Sequence, residues 1–139
     1  MKDNKIVTYL SFHGNCEEAV NAYISAFGGK ILYLTYWDET NAKKESLIGK
    51  IMHVEFLLGE TNMAAGDDAD KEVPNGAMKL MKHMETEEEA LKSIEILKKE
   101  GKVVSELSPH PKPHDEGMDC LIIDKYGISW IITCPNPRK

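Results

Sequence analysis

Along this chain the spacing of apolar positions switches from a period near two to a period near 3.6 and back again, and it does so twice. Ile6 to Phe12 is β-branched and aromatic, which predicts a strand that Gly14 and Asn15 bring to an end. Asn15 stands where a helix cap belongs, with Glu18 in the capping-box position. Ala19, Val20, Tyr23 and Phe27 then share one helical face until Gly28 and Gly29 terminate it through left-handed backbone. Lys30 to Trp37 follows as a strand apolar on both faces, and a polar loop over 38–50 leads to a strand from Ile51 to Leu58. Gly59 to Thr61 forms a hairpin turn, and Asn62 to Ala65 returns as a short strand.

The second half repeats this plan. A strand from Ala77 to Met84 precedes Thr86 and Glu89, a second capping box, and a helix whose Ala90, Leu91, Ile94 and Leu97 lie on one face before Gly101 closes it. Strands over Lys102 to Leu107 and Asp119 to Asp124, a turn at Tyr126 and Gly127, and a strand from Ile128 to Thr133 complete it. The caps Asn15 and Thr86 are 71 positions apart and the glycines Gly29 and Gly101 are 72 apart, so the halves are copies of one unit. The expectation is an α+β fold: module 1 over about 5–66, a linker rich in acids, proline and glycine over 67–76, and module 2 over about 77–134. One helix cannot cover both faces of a sheet. Joining the two sheets into one curved, half-open mixed sheet with the helices outside makes a single domain with a concave small-molecule pocket.

Composition narrows the partners. A net charge of −6 argues against a nucleic-acid backbone or an anionic membrane surface, since neither would find a basic surface to meet it. No apolar run approaches a membrane span, and the mixed charges at the start are followed by no apolar core of a signal peptide, which points to a cytoplasmic protein. Three cysteines, Cys16, Cys120 and Cys134, show no CxxC spacing and read as reduced, buried thiols. Cys16 falls in the first turn of a helix, where a thiol can be activated, but burial is the expected state.

Tyr9 to Ala19, with Tyr23 and Phe27 to Ile31, resembles the opening of the PhnB-like branch of the vicinal oxygen chelate (glyoxalase/bleomycin-resistance) superfamily. Ile51 to Phe56, Gly59 and Met63 to Asp67 look like that branch's third and fourth strands, and Asp124 to Ile132 like its closing Asp-x-Phe/Tyr-Gly-x-x-Trp segment. The resemblance runs from about residue 5 to 134 and implies the two-module fold and a homodimer. It also implies a divalent metal held by His and Glu side chains in many members. Anchored on Tyr23, Ala90 and Gly127, those ligand positions fall on Thr8, Ala65, Lys79 and Ile131, none of them a good ligand, so no cofactor is predicted and a divalent metal, though possible, is not supported by the ligand positions. No glycine-rich nucleotide loop follows any strand, and the demethylubiquinone methyltransferase label carried by some relatives gains no support from this sequence. The Trp-Gly-rich turn usual before the closing motif is replaced by Ser108 to Gly117.

The candidate chemistry lies in the third strand, where His53 and Glu55 share one pleat orientation opposite to Val54, Phe56 and Leu58. A carboxylate beside an imidazole can orient a general base, which makes this pair the catalytic candidate. We place Thr8, Leu10, Phe12, Trp37, Lys79 and His114 along the pocket wall. Trp130 is expected to pack under a helix instead. His110 and His114 have helical ligand spacing, but Pro111 and Pro113 forbid the helix, and an extended segment separates them by about 12 Å. Their loop suits a lid or pocket wall. Three functions are compatible with these features: an enzyme acting on a small oxygenated metabolite, a dimer that binds or sequesters a small molecule, and a structural dimer with a filled cavity.

Overall fold

The computed structural model describes residues 6–69 and 76–139. The chain divides into two compact units, 1–72 and 73–139. In the first, β1 (Thr8–Phe12), α1 (Cys16–Phe27), β2 (Gly29–Tyr36), β3 (Ile51–Leu58) and β4 (Thr61–Asp67) form a mixed sheet of order β1-β4-β3-β2 with α1 packed on β3. In the second, β5 (Leu80–His83), α2 (Glu87–Leu97), β6 (Lys102–Pro109), β7 (Gly117–Ile123) and β8 (Ser129–Pro135) repeat the arrangement as β5-β8-β7-β6 with α2 on β8. Each is a βαβββ module, as the repeat predicts, and each carries its own four-stranded ladder. No described helix is long and apolar enough to cross a membrane.

Several local expectations are revised. Asn15 makes no side-chain cap to α1. The carboxylate of Asp67, at the far end of β4, takes that place, its Oδ1 accepting from the Gly14 and Cys16 amides at 2.7 and 3.0 Å while Oδ2 accepts from the Ile51 amide at 3.1 Å. Asp67 is 3% exposed, so the segment read as the start of a linker is a core residue of the first module; residues 70–75 of that segment lie outside the described residues. Thr86 caps α2 as expected, accepting from the Glu89 amide at 3.1 Å. Gly101 does not end α2 by a left-handed turn; Glu100 takes that conformation, with φ 57°. Gly29 and Gly101 are alike for another reason. A Cβ on Gly29 would stand 1.9 Å from the Leu57 carbonyl oxygen, and one on Gly101 2.6 Å from that of Ile123, so each glycine lets the strand after the helix close onto its neighbour.

β2, apolar on both faces, is an edge strand: Ile31, Leu32, Tyr33 and Tyr36 are 39 to 55% exposed. The polar loop after it is pinned by a 3₁₀ turn, Glu45–Leu47, through the buried Leu47. In the second module Asp124 does for the β7–β8 turn what Asp67 does for α1, accepting from the amides of Tyr126 and Ile128 and, through Oδ2, from Trp130 Nε1 at 2.9 Å. That bond and a 3% exposure hold Trp130 in the core.

Candidate functional site

Burial alternates along β3 from His53 to Leu58. Val54, Phe56 and Leu58 are buried on the side where α1 packs, which turns His53, Glu55 and Leu57 to the open face of the sheet. Cross-strand register lines up Tyr9 of β1, Ala64 of β4, Glu55 of β3 and Tyr33 of β2 on that face. His53 Nε2 lies 3.0 Å from Glu55 Oε2, with 34% and 29% of the two side chains exposed. The imidazole hydrogen bond holds the Glu55 carboxyl below its ordinary range, so the group is ionised at neutral pH. What this pairing adds to stability is present above the ordinary carboxylate pKa and is lost as pH falls through the lowered value. An ionised carboxylate only accepts, so Nε2 of the neutral ring carries the proton and Nδ1 presents its lone pair.

Two phenols frame the imidazole. The Tyr9 ring stacks on His53 at 6.1 Å between centroids and 18° between planes, and the Tyr33 ring stands at 6.3 Å, tilted by 55°. Gly66 makes room for the first: a Cβ there would come within 2.5 Å of the Tyr9 hydroxyl and 2.7 Å of the Met52 carbonyl oxygen. Burial, reinforced by Cys16, Asp68 and Asp67, pushes the Tyr9 phenol above its usual pKa, so it is a neutral hydroxyl on a ring stacked against the imidazole. Base, orienting carboxylate and hydroxyl donors on one half-open surface are the parts of a proton-transfer site.

The structure places the other candidates as follows. Leu10 and Phe12 are core side chains, 7% and 2% exposed, because residues of even number on β1 share the face of Met63 and Phe56; Thr8 has the same parity. They belong to the helix-covered side, and it is Tyr9 and Ser11 that face the opening. Trp37 is a strut, its Nε1 donating to the Asp67 carbonyl at 2.9 Å. Lys79 is exposed and donates to the Gly76 carbonyl. His114 is exposed in a turn in which its amide donates to the Pro111 carbonyl. Tyr9 and Tyr33 are members of the site that the sequence did not single out for the pocket wall, although the parity that singled out His53 applies equally to β1.

A metal does not fit the positions onto which the resemblance carries the ligands. Ala65 and Ile131 have no donor atom, the Lys79 ammonium is engaged, and Thr8 has the parity of the helix-covered side. Among the described residues no three His, Cys, Asp or Glu side chains converge closely enough to hold an ion.

Cys16 is fully buried at the start of α1, and burial, with Asp67 and Glu17 nearby, pushes its thiol up to about 12. Cys120 and Cys134 are also buried, free and raised, in each case chiefly by burial. We expect all three thiols to resist a thiol-specific disulfide reagent at pH 8 in the native protein and to react stoichiometrically in denaturant. Fast labelling of Cys16 in the native state would contradict this placement.

Two βαβββ modules with mixed four-stranded sheets are the glyoxalase/bleomycin-resistance architecture of the vicinal oxygen chelate superfamily. Within it, the family model described as 3-demethylubiquinone-9 3-methyltransferase matches residues 4–133, and the chain belongs to that family, the PhnB-like branch. The PhnB protein of Bacillus cereus is similar over 94% of this chain and 99% of its own, with 30% identity and a TM-score of 0.82. Protein PA1353 from Pseudomonas aeruginosa shares the fold over 96% of this chain and 98% of its own, at 24% identity and a TM-score of 0.81. The fosfomycin resistance protein FosX of Listeria monocytogenes, solved with Mn(II) and sulfate, shares the fold alone: 12% identity over 98% of this chain and 96% of its own, TM-score 0.60. No curated protein matches the chain.

Proposed function

We propose that the open face of the first module's sheet is a small-molecule site in which His53, oriented by Glu55, moves a proton on a small oxygenated compound. The observation that carries this reading is the 3.0 Å contact between His53 Nε2 and Glu55 Oε2, which leaves Nδ1 as the free base on a surface a third exposed. The test incubates the protein in D₂O with a panel of small keto- and hydroxy-compounds and follows conversion or deuterium uptake by NMR. Turnover by the wild type that His53→Ala removes supports the reading; turnover untouched by that change removes His53 from the chemistry.

Tyr9 and Tyr33 favour a second reading, a site that holds a flat molecule without converting it, since aromatic faces stack planar ligands. The same panel separates the two, because a sequestering site binds without any conversion.

The reading includes a homodimer, supported by the free edge of β2 with its exposed Ile31, Leu32, Tyr33 and Tyr36. Sedimentation equilibrium is expected to give twice the chain mass of 15.6 kDa, and Leu32→Lys to lower it. A wild-type protein that stays at the mass of one chain up to high micromolar concentration would contradict the dimer.

A further inference from the structure

The two modules carry a polar row at the same place in their ladders. Leu10, Ala65 and Val54 are paired across β1, β4 and β3 as Lys82, Ile132 and Cys120 are across β5, β8 and β7. One residue along each strand, on the opposite face, lie Ser11, Gly66 and His53 in the first module and His83, Thr133 and Asp119 in the second. The second row is built of interacting groups. His83 Nδ1 is 2.8 Å from Thr133 Oγ1, Thr133 stands opposite Asp119, and His110 Nδ1 approaches Asp119 Oδ2 at 3.6 Å. Gly117 leaves space for the His110 ring, since a Cβ there would meet its Cδ2 at 3.1 Å. Asp119 keeps 42% of its side chain exposed.

Beside this polar row runs an apolar one. Met81, Ile131 and Leu121 are the next ladder-paired positions on the same face, and Met81 is 71% exposed. Among the described ladder-paired residues of that face Asp119 is the carboxylate. The cation Lys102 pairs with Ile123, four residues further along β7, or roughly 13 Å away. A surface with an exposed carboxylate at one end of an apolar strip complements a molecule with a positive head and an apolar body, and it repels an anion, as does the net charge of −6.

We propose that the open face of the second module's sheet binds small organic ammonium compounds, with the ammonium on Asp119 and donating also to the His83 and Thr133 pair, and the apolar body along Met81, Ile131 and Leu121. The proposal does not rest on the His53–Glu55 chemistry. The test is an amide-resolved NMR titration of the full chain with 2-phenylethylammonium, 2-phenylethanol and 3-phenylpropionate, which share an apolar body and differ in charge. The expected result is saturable binding of the ammonium compound with shifts around 119, 121, 131 and 133. Affinity should be at least tenfold weaker for the alcohol and the carboxylate, and at least tenfold lower in Asp119→Asn. Equal or tighter binding of the carboxylate, an Asp119→Asn protein that binds as well as the wild type, or shifts confined to Tyr9 and His53 would each overturn it. Should Asp119→Asn fail to fold, the comparison of the three probes on the wild type decides.

Discussion

Replacing Asp67 with alanine is expected to destabilise the protein by about 3 kcal/mol or more, the largest loss from any single polar side chain of the first module. Its carboxylate is 3% exposed and accepts from three backbone amides that belong to three different places in the chain: the turn before α1, the first residue of α1 and the first residue of β3. Truncation leaves all three donors without that acceptor in a site closed to water, and a buried unmade hydrogen bond costs about 1 to 3 kcal/mol. Asp67→Asn keeps one acceptor oxygen and gives up the charge, so an intermediate loss is expected. Urea unfolding at fixed pH measures both, and a loss below about 1 kcal/mol for Asp67→Ala would show that α1 is capped in some other way.

The second large effect concerns His53. If it acts as a general base, His53→Ala should lower turnover of an identified substrate by about 10²- to 10⁴-fold with little change in fold stability, because the side chain lies on the open face and fills no core volume. Glu55→Gln is the more discriminating variant. It preserves shape but can donate as well as accept, so it no longer fixes the proton on Nε2, and turnover should fall while ligand affinity is retained. Parallel losses in affinity and turnover for Glu55→Gln would instead make Glu55 a binding group. Turnover unchanged in both variants would exclude the pair from the reaction.

Much of this was legible in the chain. The alternation of period two and period 3.6 gave the order of the elements, and the 71-residue offset of Asn15 and Thr86 gave the duplication, because both follow from which side chains must leave water. The parity of β3 placed His53 and Glu55 on the open face for the same reason. The pocket wall was read with the wrong parity on β1: apolar Leu10 and Phe12 suggested a lining, but the helix-covered side is where apolar residues of an outer strand are buried. Asp67 was missed because its role is non-local. A run of acids before a proline looks like a linker, and only the pairing of β4 beside β1 brings its first carboxylate under the amides of Gly14 and Cys16. The row of His83, Thr133, Asp119 and His110 was hidden likewise, since the β-ladders bring together residues up to 50 positions apart.

The claim at the centre of this account is that Glu55 holds His53 with its proton on Nε2 and its lone pair on Nδ1. Long-range proton–nitrogen correlation of the imidazole at neutral pH, in the wild type and in Glu55→Gln, measures the tautomer without requiring a known substrate. The expected result is a His53 signal dominated by the Nε2–H form that shifts towards a mixture of tautomers in Glu55→Gln. A His53 ring already in the Nδ1–H form, or one whose signals do not change when Glu55 is replaced, would contradict it.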